Sequence, residues 1–267
     1  MIILKNFSEF TAYRSKNPEP IAFVPTMGNL HRGHLKLVET AKTFSPHVLV
    51  SIFVNPTQFN DPSDFEKYPR TQDDDLAKLS TAGVTAVYLP NQAEIYSDNY
   101  RFQLSEKEFS QELCGAHRPG HFEGVLTIVL KLLNISQAKW LILGLKDFQQ
   151  YQLLKDMAQA LFLPVEVFGV ETVREDSGLA MSSRNNRLSA AQLAIAPRLF
   201  ATLSNGNLSN EECRQELESC GFKVDYVESK KGRRLAAAFL GEVRLIDNVS
   251  LDALNFAREE PSYDLNS

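Results

Sequence analysis

The chain has 267 residues, 43% hydrophobic and 23% charged, enough to bury a substantial core and to form two domains. Its formal net charge of -5 argues against general binding of nucleic acid or of an anionic membrane. Three cysteines, an odd and sparse count, suggest a reducing cytoplasm. No apolar run approaches the roughly 18 residues that a bilayer span needs. The opening MIILKNFSEF lacks a basic segment followed by a long apolar one, so a cytoplasmic protein without a signal peptide is expected.

Residues 2–16 predict a short strand and a small helix. The apolar run 21–24 carries no helical period and predicts a buried strand. Pro25 and Gly28 break it, and a helix is predicted from His34, with Leu35, Val38 and Ala41 at helical spacing. Strand, Gly-containing turn and helix N-terminus make the layout that binds phosphate through free amide N–H groups and the helix dipole. Two histidines, His31 and His34, stand in that turn. Residues 48–54 predict a second buried strand, ending in Asn55-Pro56-Thr57-Gln58-Phe59. The two strands and their helix form a βαβ unit, whose ligands belong beyond the strands' carboxyl ends.

Asp73, Asp74 and Asp75 open a further helix that Gly83 closes, and residues 84–89 predict a third strand. Residues 93–111 are less regular. An apolar helix through 125–133 leads to a strand at 140–143, and Gly144-Leu145-Lys146-Asp147 repeats the strand, turn, helix grammar. The helix that follows puts Tyr151, Leu154, Ala158 and Leu161 on one face, and 164–170 closes the series as a strand. This alternation predicts an α/β fold with a doubly wound parallel sheet. A polar loop at 175–187 holds Met181-Ser182-Ser183-Arg184-Asn185, and SNGNLSN beyond Leu203 reads as a linker. A helix at 211–220 and strands at 223–227, 234–240 and 243–246 predict a smaller C-terminal α+β domain. The expected division is 1–174 and 175–267.

There is no GxxxxGK[ST] loop, no GxGxxG after a strand, no GxSxG and no HExxH. P-loop kinase, dinucleotide oxidoreductase, serine hydrolase and metalloprotease chemistry are weakened accordingly. His31 and His34 can be incidental surface residues or a zinc pair, but Gly33 between them suits a rigid ligand helix poorly. Imidazoles acting on phosphates during displacement at an α-phosphorus fit their position better. Ser182, Ser183 and Arg184 offer hydroxyls and a fixed cation for phosphate oxygens, and Lys146 adds a third strand end to the set. Asp147 reads by default as a helix cap. Gln58 and Gln150 are neutral amides suited to a small hydroxylated acid. Asp73, Asp74 and Asp75 read either as dipole-complementing surface charge or as carboxylates that position Mg²⁺. Cys114, His117 and His121 lack a nearby fourth zinc ligand, and Arg118 and His121 read better as an anion-handling loop. Cys213 and Cys220 read as packed thiols.

The blocks PTMGNLHRGH, IFVNPTQF, YPRTQDDDL, RPGHFEGVLTIVLKLL, GLKDFQQ and VRE followed by GLAMSSRN occur in one order along nearly the whole chain. In them the sequence resembles the pantoate–β-alanine ligase (pantothenate synthetase) family. That resemblance implies a Rossmann-like fold of the class I aminoacyl-tRNA synthetase and nucleotidyltransferase type. The HxGH turn and the MSSRN loop stand where those enzymes carry HIGH and KMSKS. It also implies a two-step ligation in coenzyme A precursor biosynthesis. Pantoate attacks MgATP to give pantoyl adenylate and pyrophosphate, and β-alanine then displaces AMP.

Carried over position by position, the resemblance implies ATP contacts from Met27, Gly28, Asn29, Leu30, His31, Arg32, Gly33 and His34. It implies further ATP contacts from Gly144, Leu145, Lys146 and Asp147, and from Val173, Met181, Ser182, Ser183 and Arg184. His34 matches the catalytic histidine, with His31, Lys146 and Arg184 as further catalytic groups. Gln58 and Gln150 match the pantoate residues, Gln58 also lying near β-alanine. Asp74 and Asp75 match acidic positions associated with Mg²⁺. A homodimer is implied, as is a C-terminal domain that serves as a lid. One departure stands out: Leu145 occupies a position where the family commonly has Glu. The competing readings are a nucleotidyltransferase, which makes no adenylate for an amine to attack, and a noncatalytic nucleotide-sensing module.

Overall fold

The computed structural model describes residues 1–254 and divides the chain into two compact units, the first Met1–Thr172 and the second beginning at Val173. The first unit is built on six strands: β1 (Ile2–Leu4), β2 (Ala22–Thr26), β3 (Val48–Ile52), β4 (Ala86–Tyr88), β5 (Trp140–Gly144) and β6 (Glu166–Val170). They form one sheet in the order β1-β4-β3-β2-β5-β6, every pairing parallel. Central strands of such a sheet are covered on both faces, which is why β2 and β3 read as continuous apolar runs rather than alternating ones. Phe23, Val24, Leu49, Val50, Leu141 and Ile142 are all nearly inaccessible to solvent.

The strand order sets where a ligand can go. From β2 the chain winds outward through β3 to β4, then returns to β5 on the other side of β2. The carboxyl ends of β2 and β5 therefore flank a topological switch point, the usual ligand crevice of an open α/β sheet. The turn after β2 ends in His31 and the first turn of the helix it opens carries His34, while the turn after β5 carries Lys146.

The helix after β2 starts earlier than its periodicity predicts, at Arg32 rather than His34, and runs Arg32–Phe44 with His31 as N-cap. The cause is side-chain chemistry rather than propensity. An imidazole nitrogen of His31 accepts the Gly33 N–H, doing the work of the usual Ser or Asp. β3 ends at Ile52, two residues short of the apolar run, where the chain turns into the 3-10 segment Pro56–Gln58. The helix Phe148–Ala160 buries Leu153, Leu154, Met157 and Ala158, whereas Leu161 lies past its end and is exposed.

The second unit packs the helices Arg198–Leu203 and Asn210–Ser219 with an antiparallel sheet, β7 (Lys223–Lys230), β8 (Arg233–Leu240) and β9 (Val243–Ser250). Leu199, Leu203, Cys213, Leu217, Phe222, Ala236 and Ala238 belong to its core, with Cys220 packed at the margin. Among the described residues, buried Arg234 has no carboxylate partner. Its guanidinium donates to the carbonyls of Leu203, Asn205 and Leu208, which close the end of one helix and the loop after it.

Candidate active site

The site starts from the backbone of the turn after β2. Gly28 and Asn29 are both left-handed, with φ of 80° and 51°. Gly28 also leaves little room for a side chain, since a Cβ there would lie 3.0 Å from Asp75 Oδ2 and 3.1 Å from Ile52. Thr26 Oγ1 donates to the Ser51 carbonyl at 2.8 Å and accepts the Gly28 N–H at 3.3 Å, pinning the end of β2. The next two amides turn inward. Asn29 N–H donates to Asp75 Oδ2 at 2.8 Å and Leu30 N–H to Asp75 Oδ1 at 2.7 Å. His31 N–H donates to His34 Nδ1 at 3.3 Å and Gly33 N–H to His31 Nδ1 at 3.2 Å.

This corrects the sequence expectation of a phosphate cradle made of free amides. The amides of Gly28, Asn29, Leu30, His31 and Gly33 already have acceptors within the protein. What the turn offers instead is its imidazoles. Both Nδ1 atoms accept backbone N–H groups, so each neutral ring carries its proton on Nε2 and can donate from there. The rings lie side by side, their centroids 4.1 Å apart.

Burial, then the positive charge of Lys146, lowers the His31 pKa to about 4. Burial lowers that of His34 to about 3, helped by His31, Lys146 and Lys78. In the ligand-free protein both are neutral hydrogen-bond donors, and the fixed positive charge belongs to the lysines. A stability consequence follows. Below the ordinary value of 6.5 the unfolded chain takes up protons that the folded state refuses, so these rings favour folding fully above pH 6.5. That contribution is lost as the pH falls from 6.5 through about 4 and towards 3. The His31→Gln/His34→Gln variant is expected to lose less unfolding free energy than the parent between pH 7 and pH 4.5 in urea titrations. Parallel curves would contradict this.

At the end of β3, Gln58 is held from two sides. Asn55, 1% exposed, donates its amide to Gln58 Oε1 at 3.0 Å and to the Gly124 carbonyl at 3.2 Å. Tyr96 in turn donates to Asn55 Oδ1 at 2.6 Å. The backbone carbonyl of Gln58 meets His121 Nδ1 at 2.8 Å and Arg118 Nη2 at 3.2 Å. The pair read from sequence as an anion-handling loop thus grips a peptide carbonyl. Gly124 permits the close approach, since a Cβ there would lie 2.5 Å from the Thr57 carbonyl oxygen. With Oε1 taken by Asn55, Gln58 keeps its NH₂ to donate to a ligand. Asn55 and Tyr96 carry no role in the sequence reading. The Asn-x-x-Gln spacing across a turn with Pro at its first position is the signal that can find Asn55.

After β5, Leu145–Asp147 forms a 3-10 turn. The Asp147 carboxylate lies 3.7 Å from the Lys146 ammonium and occupies the N-cap position of the next helix without capping it through its side chain. Leu145 lies across Gly169 of β6, where a Cβ would come within 2.5 Å of its Cδ2. An apolar residue at 145 thus packs on the sheet. Of the adjacent glutamines, buried Gln149 is structural. It donates to the carbonyls of Phe109 and Glu112 and accepts the Cys114 N–H. Gln150 is partly exposed.

Within the acidic run, Asp75 does not fit a cation site. Asp75 is 1% exposed, with both oxygens engaged by the turn. Asp74 lies 2.6 Å from the Lys78 ammonium. Among the described residues, no three His, Cys, Asp or Glu side chains come together as a metal-binding group.

In the second unit, the Met181 N–H donates to the Val173 carbonyl at 3.0 Å, and Arg174 pairs with Ala180 in an isolated antiparallel bridge. Ser182 caps the 3-10 segment Ser183–Arg187 by accepting the Arg184 N–H at 3.2 Å. Arg174 fixes the base of this loop. Its guanidinium reaches buried Asp247 through two bonds, at 2.6 and 2.9 Å, and lies 3.5 Å from the centroid of the Phe200 ring.

A family model described as Pantoate-beta-alanine ligase matches residues 3–250. The pantothenate synthetase of Bdellovibrio bacteriovorus is 48% identical over 249 residues, covering 93% of this chain and 99% of that protein. That of Legionella pneumophila strain Lens is 47% identical over 253 residues, covering 94% of this chain and all of that one (100%). Among solved structures, the pantoate-beta-alanine ligase of Francisella tularensis, complexed with Beta-gamma ATP and β-alanine, superposes with a TM-score of 0.89. It is 38% identical, and the match covers 94% of this chain and 98% of that one. A pantothenate synthetase from Thermus thermophilus gives a TM-score of 0.87 at 36% identity, with 94% and 99% covered.

Proposed function

The chain belongs to the pantoate-beta-alanine ligase family, and from that premise we propose how its own residues carry out the family's ATP-dependent condensation of pantoate with β-alanine. In the first step the pantoate carboxylate attacks the α-phosphorus of ATP. A P–O bond forms, the bond to pyrophosphate breaks, and pantoyl adenylate results. In the second step the amine of β-alanine attacks the acyl carbon, loses a proton and expels AMP, leaving pantothenate.

The observation that carries this reading is the switch point between β2 and β5, where His31, His34 and Lys146 stand at adjacent strand ends and influence one another electrostatically. Negative charge gathers on phosphate oxygens in the first step. Two Nε2–H donors and an ammonium, fixed before the substrate arrives, stabilise that charge without reorganising. No protein nucleophile is needed. Gln58 donates to an oxygen of pantoate, Gln150 assists, and the approach of β-alanine near Gln58 belongs to the same reading. The residues 27–34 and 144–147 are assigned to ATP in the first unit. Val173 and 181–184 are assigned to it in the second, on the strength of the MSSR motif and the stapled loop that presents it.

Magnesium would supply charge neutralisation on the nucleotide's phosphates and, by its chemistry, keep several waters. Asp75, with both oxygens engaged by the turn, does not fit as its ligand, and Asp74 is the acidic position assigned to it in this reading. The homodimer and the cytoplasmic setting stay part of the same reading. No helix among the described residues is long and apolar enough to cross a membrane.

The test is exchange of labelled pyrophosphate into ATP. Exchange that requires pantoate but not β-alanine is expected, and adding β-alanine should yield pantothenate and AMP in equal amounts. A nucleotidyltransferase would show no pantoate-dependent exchange, and a sensing module would form no product.

A further inference from the structure

We infer that Asp75 is a positioning residue that holds the histidine turn in its working shape, with Lys78 as its partner, and that it is not a cation ligand. The inference rests on the ligase reading for its consequence, but its geometry stands without it. Asp75 sits in the first turn of the helix Gln72–Thr81 and is 1% exposed. A carboxylate buried this deeply is costly unless every lone pair that matters has a donor. Here the donors are Asn29 N–H, Leu30 N–H and the Thr71 hydroxyl, at 2.8, 2.7 and 3.2 Å.

Two successive backbone N–H groups converging on one anion, with left-handed residues beside them, make a nest. Such a nest is commonly offered to a ligand. In this chain a side chain from 45 residues away along the sequence fills it at Leu30. The same helix also holds the next peptide group, because Lys78 Nζ donates to the Leu30 carbonyl at 2.8 Å. Residues 75 and 78 are about one helical turn apart, so the backbone N–H and the carbonyl of Leu30 are both fixed by one rigid element. Leu30 immediately precedes His31, the N-cap, and its buried side chain anchors the turn to the core. Asp74 completes the arrangement by pairing with Lys78 at 2.6 Å. Asp75 and Lys78 thus form a clamp that aims two imidazoles.

The test separates positioning from metal binding. Asp75→Asn keeps the shape but can accept only one of the two amides and turns its NH₂ towards the other. In ligand-free, ¹⁵N-histidine-labelled protein, the ring-nitrogen signals of both His31 and His34 are expected to move, because the backbone N–H groups that donate to their Nδ1 atoms are displaced. Pantoate-dependent pyrophosphate exchange is expected to fall by about 10²-fold, the size of effect that a 1 Å misplacement produces. The Mg²⁺ concentration giving half-maximal exchange should stay within about twofold of the parent's. Asp75→Glu, which keeps the charge but overreaches the nest, should fail to restore exchange.

If Asp75→Asn does not fold, Lys78→Met, at a partly exposed position, should show a smaller movement of the same ring signals. Superimposable ring signals in the folded variant, or exchange restored by excess Mg²⁺, would overturn the inference. A parent protein lacking pantoate-dependent exchange would instead sink the ligase reading and leave the ring-signal result intact.

Discussion

Replacing His34 by alanine is expected to lower pantoate-dependent pyrophosphate exchange by about 10²–10³-fold, the usual cost of removing one preorganised donor from a developing oxyanion. The side chain does two things, and the prediction separates them. Its Nδ1 accepts the His31 N–H at 3.3 Å, which helps to start the helix, and its Nε2–H is the donor offered to phosphate. His34→Asn keeps an acceptor near Nδ1 and loses the distal donor, whereas His34→Gln can place an N–H near Nε2 and gives up the cap. If donation is the catalytic role, the Asn variant should resemble the Ala variant and the Gln variant should recover part of the rate. Circular dichroism and urea midpoints should stay near the parent's in all three, because a cap bond of this length is worth no more than about 1 kcal/mol. A folded Ala variant with near-parental exchange would remove His34 from the chemistry.

The sequence makes the skeleton of this site legible for a physical reason: each of its two central turns is local. Pro25 and Gly28 mark the first, and Gly144 the second, between an apolar run and a helix, so strand ends and their polar residues can be read directly. The small C-terminal sheet is legible in the same way, although its strands run longer than their most apolar stretches. Long-range satisfaction of backbone groups is not legible. Nothing near Asn29 and Leu30 announces that Asp75 will take their amides, and the same motif read alone suggests that those amides await a phosphate. The N-cap duty of His31 is hidden likewise, because histidine is seldom chosen to cap a helix. The anchoring of Gln58 by Asn55, Arg118 and His121 joins two stretches of chain about 60 residues apart. Its one local trace is the Asn-x-x-Gln spacing.

Neutral histidines leave the positive charge of the first step to lysine, so Lys146→Met is expected to cost as much as loss of an imidazole, about 10²–10³-fold in kcat for adenylate formation. The KM for ATP should rise by less, since an ammonium aimed at charge that grows during displacement favours the transition state over the bound nucleotide. Lys146→Arg should recover only part of the rate. It keeps the charge but spreads it over a planar fork that a point-charge site is not shaped to hold. The variant also carries a second signature that a loss of packing would not produce. Lys146 lowers the proton affinity of both His31 and His34. Removing its charge must therefore move both ring titrations to higher pH, His31 upward from about 4 and His34 upward from about 3. Ring-nitrogen spectra of the ligand-free protein over that range read the shift without substrate present. A large rate loss with unmoved titrations would make Lys146 a distant structural residue. Moved titrations with an unchanged rate would make it a neighbour of the histidines that the chemistry does not use, and only the two effects together make it the cation on which the displacement depends.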